Sequence, residues 1–392
     1  MTKGVARVGT SEYVVIGAGL AGSATAWNLA RRGHEVTLVE RTRPAAPDGS
    51  SHGSARIFRY AYPDAFYAAL VASARSRWEE LEQLAGRRLI TPTGSLDFGE
   101  SRNPSQLAGV LEAVGVEHEL LAAAAARARW PQIAVDTEVL WHPEAGVIDA
   151  QESVNAMVDL ARRAGAEILT DWPVTVVQAT ATGYRVLSPD GEPLDCAKVV
   201  VSAGGWLPQL LGSLPLPADF RESVPPLQVR QEQAYHFPYR ESAAEPGPAE
   251  ADPRPWPTVI HKNPGISTYS LPGGRDAAFR GQKLAEYNAG RIISGAAAQT
   301  GTVDAANRAR MVDYAIRYLP GVVPEPYAET TCLFTNTPTE DFIIDEWDGI
   351  TLLSPCSGHG AKFAPLLGEI AADLATGVRA PAERFRLRSR AR

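Results

Sequence analysis

Residues 17–22 read Gly17-Ala18-Gly19-Leu20-Ala21-Gly22, three glycines at GxGxxG spacing. Each glycine serves a different step. Gly17 lets the chain turn tightly, Gly19 lets a phosphate approach bare backbone, and Gly22 lets a helix and a strand pack closely. A pyrophosphate on such a turn lies against the unpaired amides of a helix start, where the helix dipole also favours it. Glu40 follows at the spacing of an acid that accepts from ribose hydroxyls. These residues describe a dinucleotide site. GxGxxG alone is a weak signal, and its weight comes from the elements on either side. No comparable pattern exists for a metal. Cys196, Cys332 and Cys356 are widely spaced and form no CxxC pair, so neither structural zinc nor a disulfide framework is expected.

The elements around the motif complete one βαβ unit. A β-branched run over 13–16 ends at Gly17, a helix with Ala26, Leu29 and Ala30 on one stripe spans 23–32, and Gly33 stops it. Residues 35–40 (EVTLVE) alternate as a second strand. Further along, helices are expected over 66–85, 112–128, 153–164 and 364–376, and strands over 94–98, 167–170 and 349–354. The near-continuous apolar run at 198–202 predicts a strand buried on both faces of a parallel sheet. Residues 241–257, rich in Pro, Ala and acids, read as a surface loop. The GxGxxG motif does not separate FAD from NAD. A motif near the N-terminus whose unit is completed by distant segments favours FAD.

A chain of 392 residues suits two interlocked domains better than one core. Its 45% hydrophobic and 21% charged residues are those of a soluble globular protein. A net charge of −7 argues against nucleic acid or an anionic membrane as the main partner, and leaves room for a local cationic pocket. Residues 1–12 are polar, without a signal-peptide core, and no apolar run is long enough to span a bilayer. The unpaired thiols fit a reducing cytoplasm. The Arg-rich end, 386–392, reads as a solvated tail.

Several further segments resemble the monomeric sarcosine oxidase family, which includes N-methyltryptophan and pipecolate oxidases. Residues 49–59 (GSSHGSARIFR) resemble its GSxHGxxRxxR signature. WEEL at 78–81, TGSL at 93–96 and VVVSAGGW at 199–206 are similar to its next helix, strand and second flavin turn. CLFTNTP at 332–338 with DFIID at 341–345 resembles its covalent-flavin segment, and SGHGAKF at 357–363 its C-terminal flavin loop. The order is the family's, over nearly the whole chain.

The resemblance implies an α/β fold with a Rossmann-type FAD-binding domain (1–90, 145–220 and 325–392). A mixed-sheet α+β substrate domain (91–144 and 221–324) would interlock with it. It implies FAD attached covalently through Cys332, with Gly17, Gly19, Gly22, Glu40, Ser51, His52, Arg56, Gly204, Gly358, Gly360 and Lys362 around the cofactor. The Cys332 thiolate would need nearby positive charge to lower its pKa. Arg59 and Lys362 would clamp a substrate carboxylate, Tyr269 would stand in the active site, and Lys283 would be the oxygen-activating cation.

By residue type alone each has a plainer reading: a core cysteine, a surface salt bridge, a solvated lysine, an exposed strand lysine. His52 divides evenly between a structural histidine and a cofactor contact, and Tyr269 between an active-site group and a half-buried strand aromatic. One departure stands out. The family's histidine a few residues after the lysine falls here at Tyr287 or Asn288, which argues against sarcosine itself as substrate.

The implied reaction is oxidation of a C–N bond in a small secondary or cyclic amino acid to an imine, with O2 reduced to H2O2 by a monomeric enzyme. Two alternatives are a dehydrogenase on the same fold with another acceptor, and a biosynthetic amine oxidase acting on an aromatic or cyclic precursor. A flavin-holding protein without turnover is a third, and would leave Arg59 and Lys362 without a purpose.

Overall fold

A computed structural model gives the structure of residues 10–189, 191–240 and 256–387. The expected surface loop at 241–257 lies outside these except for its last two residues. The polar start and the Arg-rich tail lie outside them for the greater part.

Two large sheets, a three-stranded one (Arg56–Phe58, Gly146–Ile148 and Ile90–Pro92, in that order) and the helices that cover them build the described residues. In the first, the strands Glu167–Leu169, Val36–Val39, Thr10–Ile16, Leu194–Val201 and Ile350–Ser354 lie parallel in that order. Ile343–Trp347 runs antiparallel on the outside of Ile350–Ser354. The hairpin Val176–Thr180/Gly183–Leu187 pairs with the start of Leu194–Val201. Strand geometry sends successive side chains to opposite faces. Val15, Leu38 and Val200 therefore join one core with the helices Leu20–Ala30, Ala150–Arg163 and Ala364–Ala375. Val14, Ile16, Val39, Val199 and Val201 join the other, with Trp172, Leu207 and Phe220. The apolar run at 198–202 is buried on both faces, as its composition predicts.

The second sheet is mostly antiparallel. Its order is Arg291–Ile293, Gln228–Pro238, Gly281–Glu286, Ile266–Pro272, Thr258–Asn263, Ser95–Phe98, Val139–His142 and Glu119–Leu121. Thr258–Asn263 and Ser95–Phe98 run parallel. One face carries Val259, Tyr235, Phe237, Leu284, Leu96 and Phe98, and it is covered by Met311, Tyr314 and Tyr318 of the helix Ala305–Tyr318. The opposite face carries Ile260, Lys262, Tyr269 and Lys283. Period two fixes this, because Ile260 pairs with Tyr269, Lys262 with Ser267, and Leu271 with Lys283.

Two expectations need correction. The span 112–128 is not one helix. Pro104–Ala113 ends at Gly115 (φ 73°), the strand Glu119–Leu121 follows, and a second helix covers Ala123–Arg129. The Ala-rich composition hid the stop that Gly115 supplies. The segment 325–392 also does not all join the first sheet. Ala328–Asn336 pairs along Gln228–Pro238 in the second sheet, and the chain reaches the first only at Ile343–Trp347. Cys332 is thereby brought opposite Glu232, on a strand of the sheet that carries Lys283.

Candidate active site

A cavity of about 770 Å³ lies between the two sheets. Its walls include Gly17, Gly19, Glu40, Ser51 and Gly204 from the first sheet's loops, and Tyr269, Lys283 and Cys332 from the second sheet. At the βαβ end, Gly17 has φ 99°, and a Cβ there would sit 2.4 Å from the Ser202 carbonyl oxygen. A Cβ on Gly22 would sit 1.8 Å from the Gly17 carbonyl oxygen, so strand and helix meet without space for a methyl group. The helix Leu20–Ala30 receives no side-chain cap from Gly19, and Ser51 Oγ accepts from the Leu20 amide at 3.0 Å. Glu40 Oε2 accepts from the Ala18 amide at 2.6 Å, and burial raises its pKa. A glycine turn, a helix start and a buried acid on the neighbouring strand fit the phosphates and ribose of a dinucleotide. Gly22→Ala is expected to destabilise the protein by about 1–3 kcal/mol through overpacking. Thermal melting and flavin content after purification measure this; an unshifted melt with full flavin would contradict the reading.

Midway along the cavity two cations surround Cys332. Lys283 is 7% exposed, and its Nζ donates to the Ala55 carbonyl at 3.4 Å. Burial first, then Arg56, brings its pKa down to about 8. Arg56 is held by the Ala55 and Ser50 carbonyls, both at 3.0 Å. Burial raises the Cys332 thiol pKa, and Arg56 and Lys283 pull it back. The expectation of a lowered thiol pKa is therefore not met in this cavity, because desolvation outweighs both cations. Tyr269 lines the cavity, and its hydroxyl makes no hydrogen bond among the described residues. His52 does not line the cavity. Its Nδ1 donates to the Gly49 carbonyl at 2.8 Å, and burial lowers its pKa to about 4. It is a neutral brace for the 49–56 loop.

At the far end Arg59 and Lys362 converge on one tyrosine. The Arg59 guanidinium stands 4.8 Å from the centre of the Tyr62 ring and donates to the Ala61 carbonyl. Lys362 is 4% exposed, and its Nζ donates to Tyr62 Oη at 3.0 Å and to the His359 carbonyl at 2.8 Å. His359 Nε2 lies 2.9 Å from the Glu340 carbonyl and must donate to it, so Nδ1 accepts from Tyr62 Oη at 3.0 Å. Proton positions along Lys362, Tyr62 and His359 follow from that one carbonyl. Burial, then Arg59, pushes the Lys362 pKa well down.

Behind Arg59 lies a buried network. Arg102 contacts Asp97 Oδ1 at 2.5 Å, His142 Nε2 lies 3.1 Å from Asp97 Oδ2, and Arg102 also donates to the Ala61 carbonyl at 2.9 Å. Burial opposes ionisation of Asp97, but Arg102 and His142 outweigh it and hold the carboxyl well below the usual range. Where the family's histidine is expected, Tyr287 lines the cavity and Asn288 does not. Tyr287 Oη donates to Glu340 Oε1 at 2.9 Å.

The predicted residues Glu40, Ser51, Arg56, Arg59, Gly204, Tyr269, Lys283, Cys332, Gly358, Gly360 and Lys362 all line one cavity with Gly17 and Gly19. Gly22 stands behind it as a packing residue. The sequence reading missed Tyr62, Arg102, Lys262 and Glu340, which line it too. Tyr62 and Glu340 lay beside segments already singled out; Arg102 and Lys262 carried no local signal. Among the described residues, no cluster of three metal-ligating side chains occurs and no helix is long and apolar enough to cross a membrane.

A dinucleotide turn opening into a cation-lined cavity defines a nucleotide-cofactor oxidoreductase. A family model for FAD dependent oxidoreductases, DAO, matches residues 12–374. Monomeric sarcosine oxidase of Streptomyces avermitilis is 31% identical over 383 residues, 95% of each chain. N-methyl-L-tryptophan oxidase of Yersinia pestis is 30% identical over 379 residues, 92% of this chain and 94% of its own. The open form of NikD, an amino acid oxidase essential for nikkomycin biosynthesis, superposes with a TM-score of 0.83 at 25% identity, covering 97% of this chain and 98% of its own. The chain belongs to the DAO family of FAD-dependent oxidoreductases.

Proposed function

We propose that this chain oxidises the C–N bond of a small secondary or cyclic amino acid to an imine, with O2 reduced to H2O2. The observation that carries the reading is the convergence of Arg59 and Lys362 on Tyr62, in a cavity that Lys283 and Cys332 also line. The relatives named as oxidases of sarcosine and N-methyl-L-tryptophan support the same substrate class.

FAD, when bound, accepts the hydride. The protein's own residues bind, orient and exclude water. Arg59 offers a planar fork to a carboxylate and Lys362 a point charge, and Tyr62 fixes both. Tyr269 presents a free hydroxyl to the same space. Ile260, Leu271 and Phe334 supply an apolar wall that lowers the local dielectric and strengthens each charge contact. Lys283 holds a proton on Nζ, opposite the place where negative charge develops on oxygen.

Anaerobic mixing of the holoenzyme with N-substituted and cyclic amino acids, and with their decarboxylated amines, tests the reading. The carboxylates are expected to bleach the flavin and the amines to do so far more slowly. Rapid recovery of colour in air marks an oxidase, and slow recovery a dehydrogenase. Bleaching by both sets alike would remove the carboxylate from recognition.

Cys332 Sγ is the proposed attachment atom for the cofactor. Arg56 and Lys283 supply the charge that favours its thiolate against the burial that opposes it. Acid-precipitated wild type is expected to keep its yellow colour, with an intact mass one FAD above the polypeptide. Cys332→Ser should release its flavin into the supernatant. A colourless wild-type pellet from yellow holoenzyme would exclude the thioether. The proposed setting is the cytoplasm, in keeping with the cysteine usage, and the proposed state a monomer, in keeping with the family resemblance.

A further inference from the structure

Charge is unevenly spread over the cavity's far end. Arg59, Arg102, Lys262 and Lys362 line it with the carboxylate of Glu340, and Asp97 stands behind Arg102. Asp97 belongs to Arg102 and His142. Glu340 is held by Tyr287 Oη at 2.9 Å and Asn288 Nδ2 at 3.2 Å. Arg384 at the rim already pairs with Asp64 and Asp341 and adds no free cation. Once a bound carboxylate favours a proton on Lys362, four cations face two carboxylates, and that single substrate carboxylate answers only one of the two surplus charges.

Burial and then Arg59 disfavour the Lys362 ammonium; burial, then Arg102, then Arg59 disfavour that of Lys262, and Glu340 and Asp97 offset them in part. Arg59 and Arg102 are neighbours, since both donate to the Ala61 carbonyl. Lys262 stands on the second sheet's wall of the cavity, and Lys362 on the turn that follows the first sheet's strand Ile350–Ser354. Its strand fixes its direction: Lys262 shares a face with Ile260 and Tyr269. Its Nζ lies 5.5 Å from the centre of the Tyr287 ring, itself part of the cavity wall. Among the described residues Lys262 makes no ion pair. A partly buried cation without a direct ion pair is unfavourable, and a ring face and the more distant Glu340 carboxylate answer it only in part.

We propose that Lys262, backed by Arg102, forms a second carboxylate subsite, so that the substrate is an amino acid with two acid groups. One carboxylate lies between Arg59 and Lys362 and the other against Lys262, with the reacting C–N bond between them. The proposal rests on the carboxylate clamp of the proposed function and specifies the substrate class for that same cavity.

The test compares straight-chain dicarboxylates from malonate to adipate with their half-amides, which keep the shape and lose one charge. Dissociation constants are measured by calorimetry on the holoenzyme. At the best chain length the diacid is expected to bind wild type about tenfold or more tighter than its half-amide, one full charge contact in a partly desolvated site. Lys262→Met should bring that ratio close to one by weakening the diacid, while the half-amide keeps its affinity and shows that the fold is intact. Lys262→Arg should retain the preference. A wild-type ratio near one at every length, with half-amides still binding, overturns the second subsite and leaves the clamp standing. Equal weakening of diacid and half-amide in Lys262→Met also overturns it. Failure of diacids, half-amides and simple monocarboxylates to bind would overturn the clamp, and this proposal with it.

Discussion

Lys283→Met is expected to slow reoxidation of the reduced holoenzyme by oxygen by about 10²–10³-fold, the size of effect seen when one preorganised charge contact is removed. Anaerobic reduction by substrate should change much less. Oxygen arrives neutral and would acquire negative charge beside a bound flavin, so a fixed cation there would help that step and not the removal of hydride. Lys283 is suited to it by position, on the same sheet face as Tyr269 and beside Cys332 and Arg56. It is buried, which both strengthens its field and makes its charge harder to keep.

With a pKa of about 8 the ammonium is largely protonated at pH 7 and loses its proton as the pH rises further. Oxygen reactivity should therefore fall as pH passes through about 8 in wild type and stay flat in Lys283→Met. Lys283→Arg, which keeps the charge beyond that range, should move the fall to higher pH. Stopped-flow measurement of the two half-reactions separates the outcomes. Equal slowing of both, or slowing of reduction alone, would take the oxygen role away from Lys283.

Much of this site could be read from local sequence because its parts are local. The glycine turn, the helix it opens and Glu40 lie within one βαβ unit, where spacing alone dictates geometry. Arg56 and Arg59 sit on one short segment, and Lys362 follows the turn that places it. What sequence did not disclose is set by pairing between distant strands. Lys262 faces the cavity because Thr258–Asn263 pairs with Ile266–Pro272 in one register; a slip of one residue would turn it to the other face. Asp97 and Arg102 look like an ordinary surface pair five positions apart, and only the surrounding sheet buries them.

The family resemblance places the strand with Cys332 in the FAD-binding domain, within 325–392. Its backbone instead bonds to Gln228–Pro238. A cofactor attached at Cys332 would thus be tethered to the second sheet and cradled by the first, and the proposed link and the proposed oxygen cation would lie on one sheet. The thiol's own environment was misjudged for a related reason. Positive charge nearby could be inferred from the sequence, but the depth of burial could not, and desolvation is the larger influence.

Lys362→Met is expected to weaken binding of small carboxylates by about 2–5 kcal/mol, the range for truncating one member of a buried charge contact. Arg59→Met should do the same. In the free enzyme the two cations lie close enough that Arg59 adds to the burial that lowers the Lys362 pKa. A bound carboxylate reverses that balance and favours the ammonium, so the Lys362 pKa is higher in the complex than in the free enzyme. The sign of the pH dependence follows. Below the free-enzyme pKa Lys362 is charged in both states and affinity is level. Between the two pKa values the complex holds one proton more, and the dissociation constant rises about tenfold for each unit of pH. Calorimetry in buffers of different ionisation enthalpy should show proton uptake on binding by wild type. Lys362→Met should lose that uptake along with the affinity, while Arg59→Met should lose affinity and keep an uptake displaced to higher pH, because removing Arg59 relieves the repulsion on Lys362. Uncharged amines of the same shape should respond little to either change. Carboxylate affinity that is unaltered in both variants would place the acid group elsewhere in the cavity, and the Tyr62–His359–Glu340 chain would then have to be explained as a purely structural brace for a buried lysine.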